Sequence, residues 1–260
     1  MSSISRTLRR RTTLPVCLVI ALATSAGASD IQDSDAAQGF DVSHFNHTVD
    51  WGQVAGAGFD FVYVKATEGV DSGDPNFAEN WRGAADAGLA RGAYHFYVTE
   101  DDPRDQAHFF ISTVPESDRG ELIPVVDVEV VGHGTRAGWV PDLQIFLDVV
   151  EERFGSPPMI YTGPKFWNTK VSSEAFGDYP LWIAEYGAPK PTVPAGWSSW
   201  TVWQFATEQS VEGVVNGVDL NKLPPGVGLD SIRRPEHTHD SNNERPVQDP
   251  EPPGEGEIDP

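Results

Sequence analysis

The sequence predicts an α/β fold: a single irregular (β/α) barrel of about eight mostly parallel strands with few helices, followed by a disordered C-terminal tail. Three observations predict it. Short strand-like runs recur along the chain, and several are apolar on both faces, as buried parallel strands are. Amphipathic helical patterns lie between some of these runs. The later runs leave too few residues between them for full helices, so a regular eightfold barrel is not expected.

Composition sets limits on size and partners. The chain has 260 residues, 39% of them hydrophobic, which is enough for one sizeable core. It carries 39 acidic and 18 basic residues, a formal net charge of −21. Phosphate backbones and anionic membranes repel such a protein, so nucleic acid is not an expected partner. A single cysteine excludes an internal disulfide, and we expect a monomer.

The first 28 residues have the pattern of an export signal. A basic stretch without acids is followed by an apolar run at 14–23 and by an A-x-A cleavage site at 26–28. The apolar run is too short for a stable membrane anchor. We therefore expect secretion after cleavage near Ala28, and a flexible leader over 29–38.

Residues 39–223 read as one domain, with a connector at 224–234. The final segment, 235–260, holds eight acids, six prolines and almost nothing apolar. Such a segment cannot bury enough surface to offset its chain entropy, so it is predicted to be disordered.

Eight strands and three helices are predicted inside this domain. The strands are expected at 39–42, 59–65, 91–97, 122–128, 158–162, 180–186, 200–205 and 214–219. The helices are expected at 76–87, 102–114 and 141–154. Asp102 and Pro103 form an N-cap with a proline at the first helical position, and Gly155 stands where a C-terminal glycine cap is expected.

Polar and aromatic residues collect where each predicted strand ends. The residues at or just beyond these ends are Asp41, Lys65, Glu68, His95, Tyr97, Asp127, Glu129, Tyr161, Glu185, Tyr186, Gln204 and Asp219. In α/β barrels the active site lies at the C-terminal ends of the strands. The pattern therefore predicts an active site at this end of the barrel.

The fourth strand carries the most specific signal. Because side chains alternate along a strand, Asp127 and Glu129 share one face while Val126 and Val128 take the other. Two neighbouring carboxyls raise each other's pKa. A protonated acid beside a carboxylate is the pair that glycoside hydrolysis uses, although such a pair can also be a solvated edge or an ion-paired structural group.

Aromatic residues near the same strand ends suit a sugar ligand. Tyr97, Tyr161, Trp182 and Tyr186 are candidate stacking platforms, whereas most other aromatic side chains are expected in the core.

Seven short motifs occur along the predicted domain: Gly39–His44 with Asp50-Trp51, Lys65–Gly69, Gly92–Tyr97, Pro124–Glu129, Leu181–Tyr186, Trp203–Phe205 and Val218–Asn221. Together, and in this order, they resemble the glycoside hydrolase family 25 lysozymes, which are N-acetylmuramidases. The resemblance covers residues 39–223. It implies an irregular β/α barrel that cleaves the β-1,4 bond after N-acetylmuramic acid in peptidoglycan, with peptidoglycan glycan strands as the partner.

The resemblance also implies residue roles. Glu129 matches the family's proton donor and Asp127 its paired carboxylate, while Asp41 and Asp219 match acids that line the site. Retention of configuration is expected, by direct attack of Asp127 or by the substrate's acetamido group. The expected substrate-binding residues are Glu68, Tyr97, Tyr161, Trp182, Tyr186 and Gln204. The family uses neither metal nor cofactor, and we expect none here.

Two other interpretations compete with this one. Chitinase-type barrels end a strand with D-x-x-D-x-D-x-E, but Leu122 and Val125 stand at the first two acidic positions. A catalytically silent glycan-binding barrel is the second, because fold alone does not establish activity. The presence of all four acids favours an enzyme.

Overall fold

The computed structural model describes residues 36–135 and 137–235. The predicted signal peptide, most of the predicted leader and nearly all of the predicted tail lie outside the described residues. Within these ranges, no helix is long and apolar enough to cross a membrane.

Eight strands close into a barrel, and a ninth, two-residue strand pairs antiparallel with the end of one of them. The strands are β1 (Gln38–Val42), β2 (Phe61–Glu68), β3 (Ser72–Gly73), β4 (Ala90–Phe96), β5 (Val125–Asp127), β6 (Met159–Thr162), β7 (Leu181–Ala184), β8 (Val202–Gln209) and β9 (Val218–Lys222). Their order around the barrel is β1-β9-β8-β7-β6-β5-β4-β2, and β2 pairs with β1 to close it. The predicted class, a single irregular barrel of mostly parallel strands with few helices, is confirmed.

The last strand differs from the prediction. Seven barrel strands run parallel, but β9 runs antiparallel to both of its neighbours, β8 and β1. The predicted strand at 214–219 is therefore wrong: Asp219 lies near the start of β9 rather than at the end of a parallel strand. The connection from β8 to β9 is too short for a parallel crossover, so the chain must return antiparallel. Reversal still brings Asp219 opposite Asp41.

The helices are few and mostly follow the predicted caps. They are α1 (Trp51–Val54), α2 (Phe77–Asp86), α3 (Pro103–Thr113), α4 (Trp139–Phe154) and α5 (Pro164–Phe166). A π-helical turn (Trp167–Val171) follows α5, and 3-10 turns occur at His44–Asn46 and Leu229–Ile232. Asp102 caps α3 by accepting hydrogen bonds from the backbone of Arg104 and Asp105. The three predicted helices are confirmed to within two residues at each end.

Strand alternation divides the apolar side chains between two cores. Outward-facing residues such as Val62, Val64 and Val126 pack between barrel and helices. Inward-facing residues fill the barrel below its C-terminal end, and they include Phe61, Tyr63, Val125, Met159, Tyr161 and Trp182. A Cβ at Gly92 would overlap the ring of Tyr63, so glycine is required there to accommodate this aromatic side chain. The barrel is filled with side chains, and an open cleft is left only above them.

Residues 224–235 cover the other end of the barrel. Ile232 is fully buried, and its carbonyl accepts a hydrogen bond from Ile123 N at 2.9 Å. Leu223 N donates to Ala37 O at 3.0 Å. The segment predicted as a connector thus contributes to the core, and Gln38, the last residue of the predicted leader, begins β1.

Candidate active site

A cleft of about 310 Å³ opens at the C-terminal ends of the parallel strands. Fifteen residues line it: Asp41, Ser43, Phe45, Asn46, Lys65, Tyr94, Phe96, Val125, Asp127, Glu129, Tyr161, Trp182, Gln204, Gly217 and Asp219. The structure therefore brings together all four acids that the sequence singled out.

Alternation along β5 places two of these acids on the cleft side. The strand itself ends at Asp127, but Val128 N still donates to Tyr161 O at 2.9 Å, so the chain stays extended beyond it. Val126 and Val128 are buried against the helices, while Asp127 and Glu129 line the cleft. The local fold thus follows the alternation in the sequence.

Asp127 is the deeper acid of the pair. It is 8% exposed, and its Oδ1 forms no hydrogen bond with any described residue. Burial raises the pKa of Asp127 well above its ordinary value, the charge of Glu129 adds to the rise, and the Lys65 ammonium opposes it. A buried, unpaired carboxyl oxygen that lines an open cleft is available to a ligand.

Glu129 lies at the mouth of the cleft, where the residue as a whole reaches solvent. The cleft walls still desolvate its carboxyl and raise its pKa; Lys65 lowers this pKa and Asp219 raises it. Glu129 therefore keeps its proton to higher pH than an ordinary glutamate, and its exposed position lets it exchange this proton with water. Since the two acids interact, their apparent pKa values belong to the pair.

Lys65 supplies the positive charge in the cleft lining. Its side chain is 8% exposed, its Nζ lies 2.6 Å from Glu68 Oε2, and it lies 4.9 Å from the ring centroid of Phe96. This one ammonium only partly offsets the effects that raise the pKa of Asp127 and Glu129.

Asp41 is held by two side-chain amides. Gln204 Nε2 and Asn221 Nδ2 both donate to Asp41 Oδ2, each at 2.8 Å. The hydroxyls of Tyr161 and Tyr186 donate to Gln204 Oε1 at 2.8 and 2.5 Å.

The indole of Trp182 orients the second amide, because its Nε1 donates to Asn221 Oδ1 at 2.9 Å. With both amide oxygens occupied by donors, both NH₂ groups must point at Asp41. The aromatic side chains thus fix the direction of the network.

Burial is the main cause of the raised pKa of Asp41. It raises the pKa of Asp41 to about 7, assisted by the charge of Asp219, while the two amide hydrogen bonds lower the value. Asp219 Oδ1 accepts a hydrogen bond from Glu208 N at 3.1 Å, which holds Asp219 at the start of β9.

The expected substrate-binding residues do not all reach the cleft. Tyr161, Trp182 and Gln204 line it. Tyr186 is half-exposed and joins it through Gln204, and Glu68 lies beside it as the partner of Lys65.

The expectation for Tyr97 is corrected by the structure. Tyr97 is 1% exposed and packs edge-to-face on Phe146 of α4, in the core outside the barrel. Along β4, alternation turns Tyr94 and Phe96 into the cleft and leaves His95 and Tyr97 outside. Burial lowers the pKa of His95 to about 3, so this histidine is neutral.

Several cleft residues were missed by the sequence analysis as site residues. They are Ser43, Phe45, Asn46, Tyr94, Phe96, Gly217 and Asn221. Lys65 was noted at its strand end but was given no role in the site. Alternation counted from Asp219 would have found Asn221. Loop residues such as Phe45 follow no period, so no local signal marked them. Among the described residues, no group of three or more His, Cys, Asp or Glu side chains could hold a metal ion.

Comparison with known proteins agrees with this geometry. The family model described as Glycosyl hydrolases family 25 matches residues 40–214, two thirds of the chain. Lysozyme M1 of Streptomyces globisporus is 35% identical over 205 residues, which cover 74% of this chain and 69% of that protein. The N,O-diacetylmuramidase of a Chalaropsis species is 32% identical, over 73% of this chain and 99% of its own.

Solved structures show the same fold. A bacterial lysozyme from Streptomyces coelicolor superposes with a TM-score of 0.66 at 34% identity, covering 75% of this chain and 95% of that chain. A family GH25 lysozyme from Aspergillus fumigatus gives a TM-score of 0.64 at 31% identity, covering 73% and 94%. The chain therefore belongs to family 25 of the glycoside hydrolases.

Proposed function

We propose that this enzyme is a lysozyme that hydrolyses the β-1,4 bond between N-acetylmuramic acid and N-acetylglucosamine in peptidoglycan. The observation that carries the proposal is the cleft that holds Asp127 and Glu129 side by side, with Asp41 and Asp219 opposite each other across β1 and β9. Family membership and relatives named lysozyme support this substrate class.

Glu129 acts as the general acid. Its position at the mouth lets it reach the glycosidic oxygen, and its raised pKa keeps a proton available. Protonation of this oxygen accompanies cleavage of the C1–O bond, and the leaving sugar departs as an alcohol. Glu129, now ionised, then takes a proton from the attacking water and is ready for another turnover.

In the same step, Asp127 stabilises the positive charge that develops at C1 of the sugar. Its unpaired Oδ1 is available for direct attack or for support of attack by the substrate's own acetamido oxygen. Both routes invert C1 twice and therefore retain its configuration.

Asp41 and Asp219 add negative charge around the pair. Asp219 raises the pKa of Glu129, and Asp41 raises that of Asp127. We assign them to tuning and substrate positioning.

The test is product analysis on purified peptidoglycan, with the wild type beside Glu129→Gln and Asp127→Asn. The wild type should release fragments with new reducing ends on N-acetylmuramic acid. Each variant should keep its circular dichroism spectrum and lose activity by about 100-fold or more, as expected for loss of acid or charge-stabilising catalysis.

Three outcomes would contradict the proposal. Reducing ends on N-acetylglucosamine would overturn the bond assignment. Near-normal turnover by either variant would overturn its assigned role. Retention on the cell wall without any soluble product would favour the silent glycan-binding barrel.

We also propose that the enzyme works outside the cytoplasm, as a monomer, after removal of residues 1–28. The basic stretch, the apolar run and the A-x-A site support export. N-terminal sequencing of protein from culture medium should begin near Ser29, and light scattering should give the mass of one chain.

A further inference from the structure

One wall of the cleft presents an aromatic ring to solvent. Phe45 lies in the 3-10 turn that follows β1, is 70% exposed and lines the same cleft as Asp127 and Glu129. Single exposed apolar residues are common on protein surfaces and need no explanation. Phe45 is different because it borders the catalytic cleft and is fixed in place.

The ring of Phe45 packs against the imidazole of His44, which is itself held in place by Asp74. The ring centroids of His44 and Phe45 are 4.1 Å apart at an interplanar angle of 35°. His44 is held in turn by Asp74, whose Oδ2 accepts a bond from His44 N at 2.9 Å and lies 2.8 Å from His44 Nδ1. The Asp74 side chain is fully buried. One side of the Phe45 ring is thus supported, and the rest stays open to solvent.

A second loop fixes the backbone of the same turn. Asn216 Nδ2 donates to Phe45 O at 2.7 Å, and Asn46 Nδ2 donates to Gly217 O at 2.9 Å. Val215, the residue before Asn216, is 72% exposed. The β1 turn and the β8–β9 loop therefore form one cross-linked wall that carries two exposed apolar side chains.

We propose that Phe45 is a stacking platform for a sugar ring of the glycan strand, at a subsite beside the catalytic acids. This inference rests on the proposed function, because it assigns a further part of the same substrate to the same cleft. A pyranose ring has flat faces of C–H groups and an edge of hydroxyls. Phe45 offers an apolar face, and the neighbouring lining residues Ser43 and Asn46 offer polar groups.

Charge favours a sugar ring over a peptide stem as the occupant. The stem peptides of peptidoglycan end in carboxylates, and the cleft lining already contains Asp41, Asp127, Glu129 and Asp219. Its cation, Lys65, is paired with Glu68. A neutral, flat ligand avoids this repulsion.

The first test separates binding from chemistry. Phe45→Ala and Phe45→Leu should raise KM about 3- to 10-fold, with kcat within about twofold, since an aromatic contact contributes about that much and Leu lacks the flat ring. Phe45→Trp should restore the wild-type KM. Because Phe45 is 70% exposed and the ring contact it can lose is with His44, the melting temperature should change by no more than about 4 °C in all three. A wild-type KM in Phe45→Leu would overturn the stacking proposal, and so would a wild-type KM in Phe45→Ala.

The second test identifies the occupant. The same kinetics are run on glycan strands from which an amidase has removed the peptides. Because this cleavage leaves a lactyl carboxylate on each N-acetylmuramic acid, the KM of Phe45→Ala is compared with that of the wild type on each substrate separately. The loss in Phe45→Ala should persist on these strands. If it disappears there while remaining on intact peptidoglycan, the occupant is the peptide and the proposal is wrong.

Binding measurements keep this inference distinct from the proposed function. Calorimetric titration of the peptide-free glycan into Glu129→Gln, with and without Phe45→Ala, should show a 3- to 10-fold weaker Kd with the second change. If the wild type hydrolyses nothing but this difference remains, the proposed function fails and the subsite stands. If the wild type is active and the difference is absent, the subsite fails and the function stands.

Discussion

At the scale of single residues, Lys65 tunes the charge of Asp127 and Glu129, the proposed catalytic pair. It lowers the pKa of both Asp127 and Glu129, against the effect of burial. Glu68 shares this ammonium and, through its own charge, raises the pKa of Asp127. The balance between one cation and its acidic neighbours therefore sets the pH range in which one acid is ionised and the other protonated.

Replacement of Lys65 by Met should move the pH profile of kcat/KM towards higher pH. Without the ammonium, both carboxyls hold their protons more tightly, so the acidic limb and the basic limb both shift upward, by about one unit. The profile is measured on peptidoglycan fragments between pH 4 and 9.

Glu68→Gln is the matched control, because it removes a negative charge and leaves the ammonium. The acidic limb should then move towards lower pH. If neither limb of the pH profile moves in either variant, Lys65 does not tune the pKa values of Asp127 and Glu129.

Asp41 links stability to pH in the same way. The pKa of Asp41 is about 7 in the folded state and 3.8 for an ordinary aspartate, so the folded state keeps a proton that the unfolded state loses between these values. Stability therefore falls as pH rises from about 4 to about 7. The neutral side chain of Asp41→Asn escapes this loss.

The expected result is a melting temperature for Asp41→Asn that exceeds the wild type by about 5 °C at pH 8 and by much less at pH 4. Differential scanning calorimetry at both pH values makes the comparison. An equal difference at the two pH values would contradict the linkage.

Elements whose ends are set by local chemistry were predictable from the sequence. Helix α3 begins after the Asp102 cap, and α4 ends at Gly155, which has φ of 71°. Strand β9 was misplaced because its position depends on pairing with β1 and β8, which no local pattern encodes. The same distinction separates Asp127 and Glu129, found from alternation alone, from Phe45, whose place in the cleft wall depends on a contact with the β8–β9 loop.

Gly155→Ala tests the end of α4. A side chain at this left-handed position should cost about 1 kcal/mol and lower the melting temperature by about 2–4 °C. Gly228→Ala is the control: its φ is −86° and no atom lies within 4 Å of an added Cβ. Equal melting temperatures for the two variants would show that the cap conformation contributes nothing.

On the scale of the whole molecule, charge governs the encounter with the cell wall. The full chain has a net charge of −21, and the proposed removal of residues 1–28 takes away four arginines and leaves −25. Walls that carry anionic polymers repel such a protein, and 0.1 M salt confines this repulsion to about 10 Å. Activity on such walls should rise several-fold between 10 and 150 mM NaCl. Activity on a neutral glycan should change less than about twofold, and an equal response of both substrates would contradict electrostatic repulsion.

The overall fold could be predicted more fully than the cleft. A barrel follows from repeated buried strands, and its catalytic end from the polar residues at their termini. The wall formed by Phe45 and the β8–β9 loop could not be predicted, because residues about 170 positions apart meet there through loop contacts.

The reversal of β9 also determines where a second protein or a surface can be joined to this enzyme. β9 runs from the cleft towards the opposite end of the barrel, so Leu223, which follows β9, lies beside Ala37 at the start of β1. Ile232 packs in the same apolar cluster as Leu223. Residue 36 and residue 235 therefore both belong to the end of the barrel opposite the four acids of the cleft. A fusion partner or a chemical tether attached at either position leaves the approach of a glycan strand unobstructed.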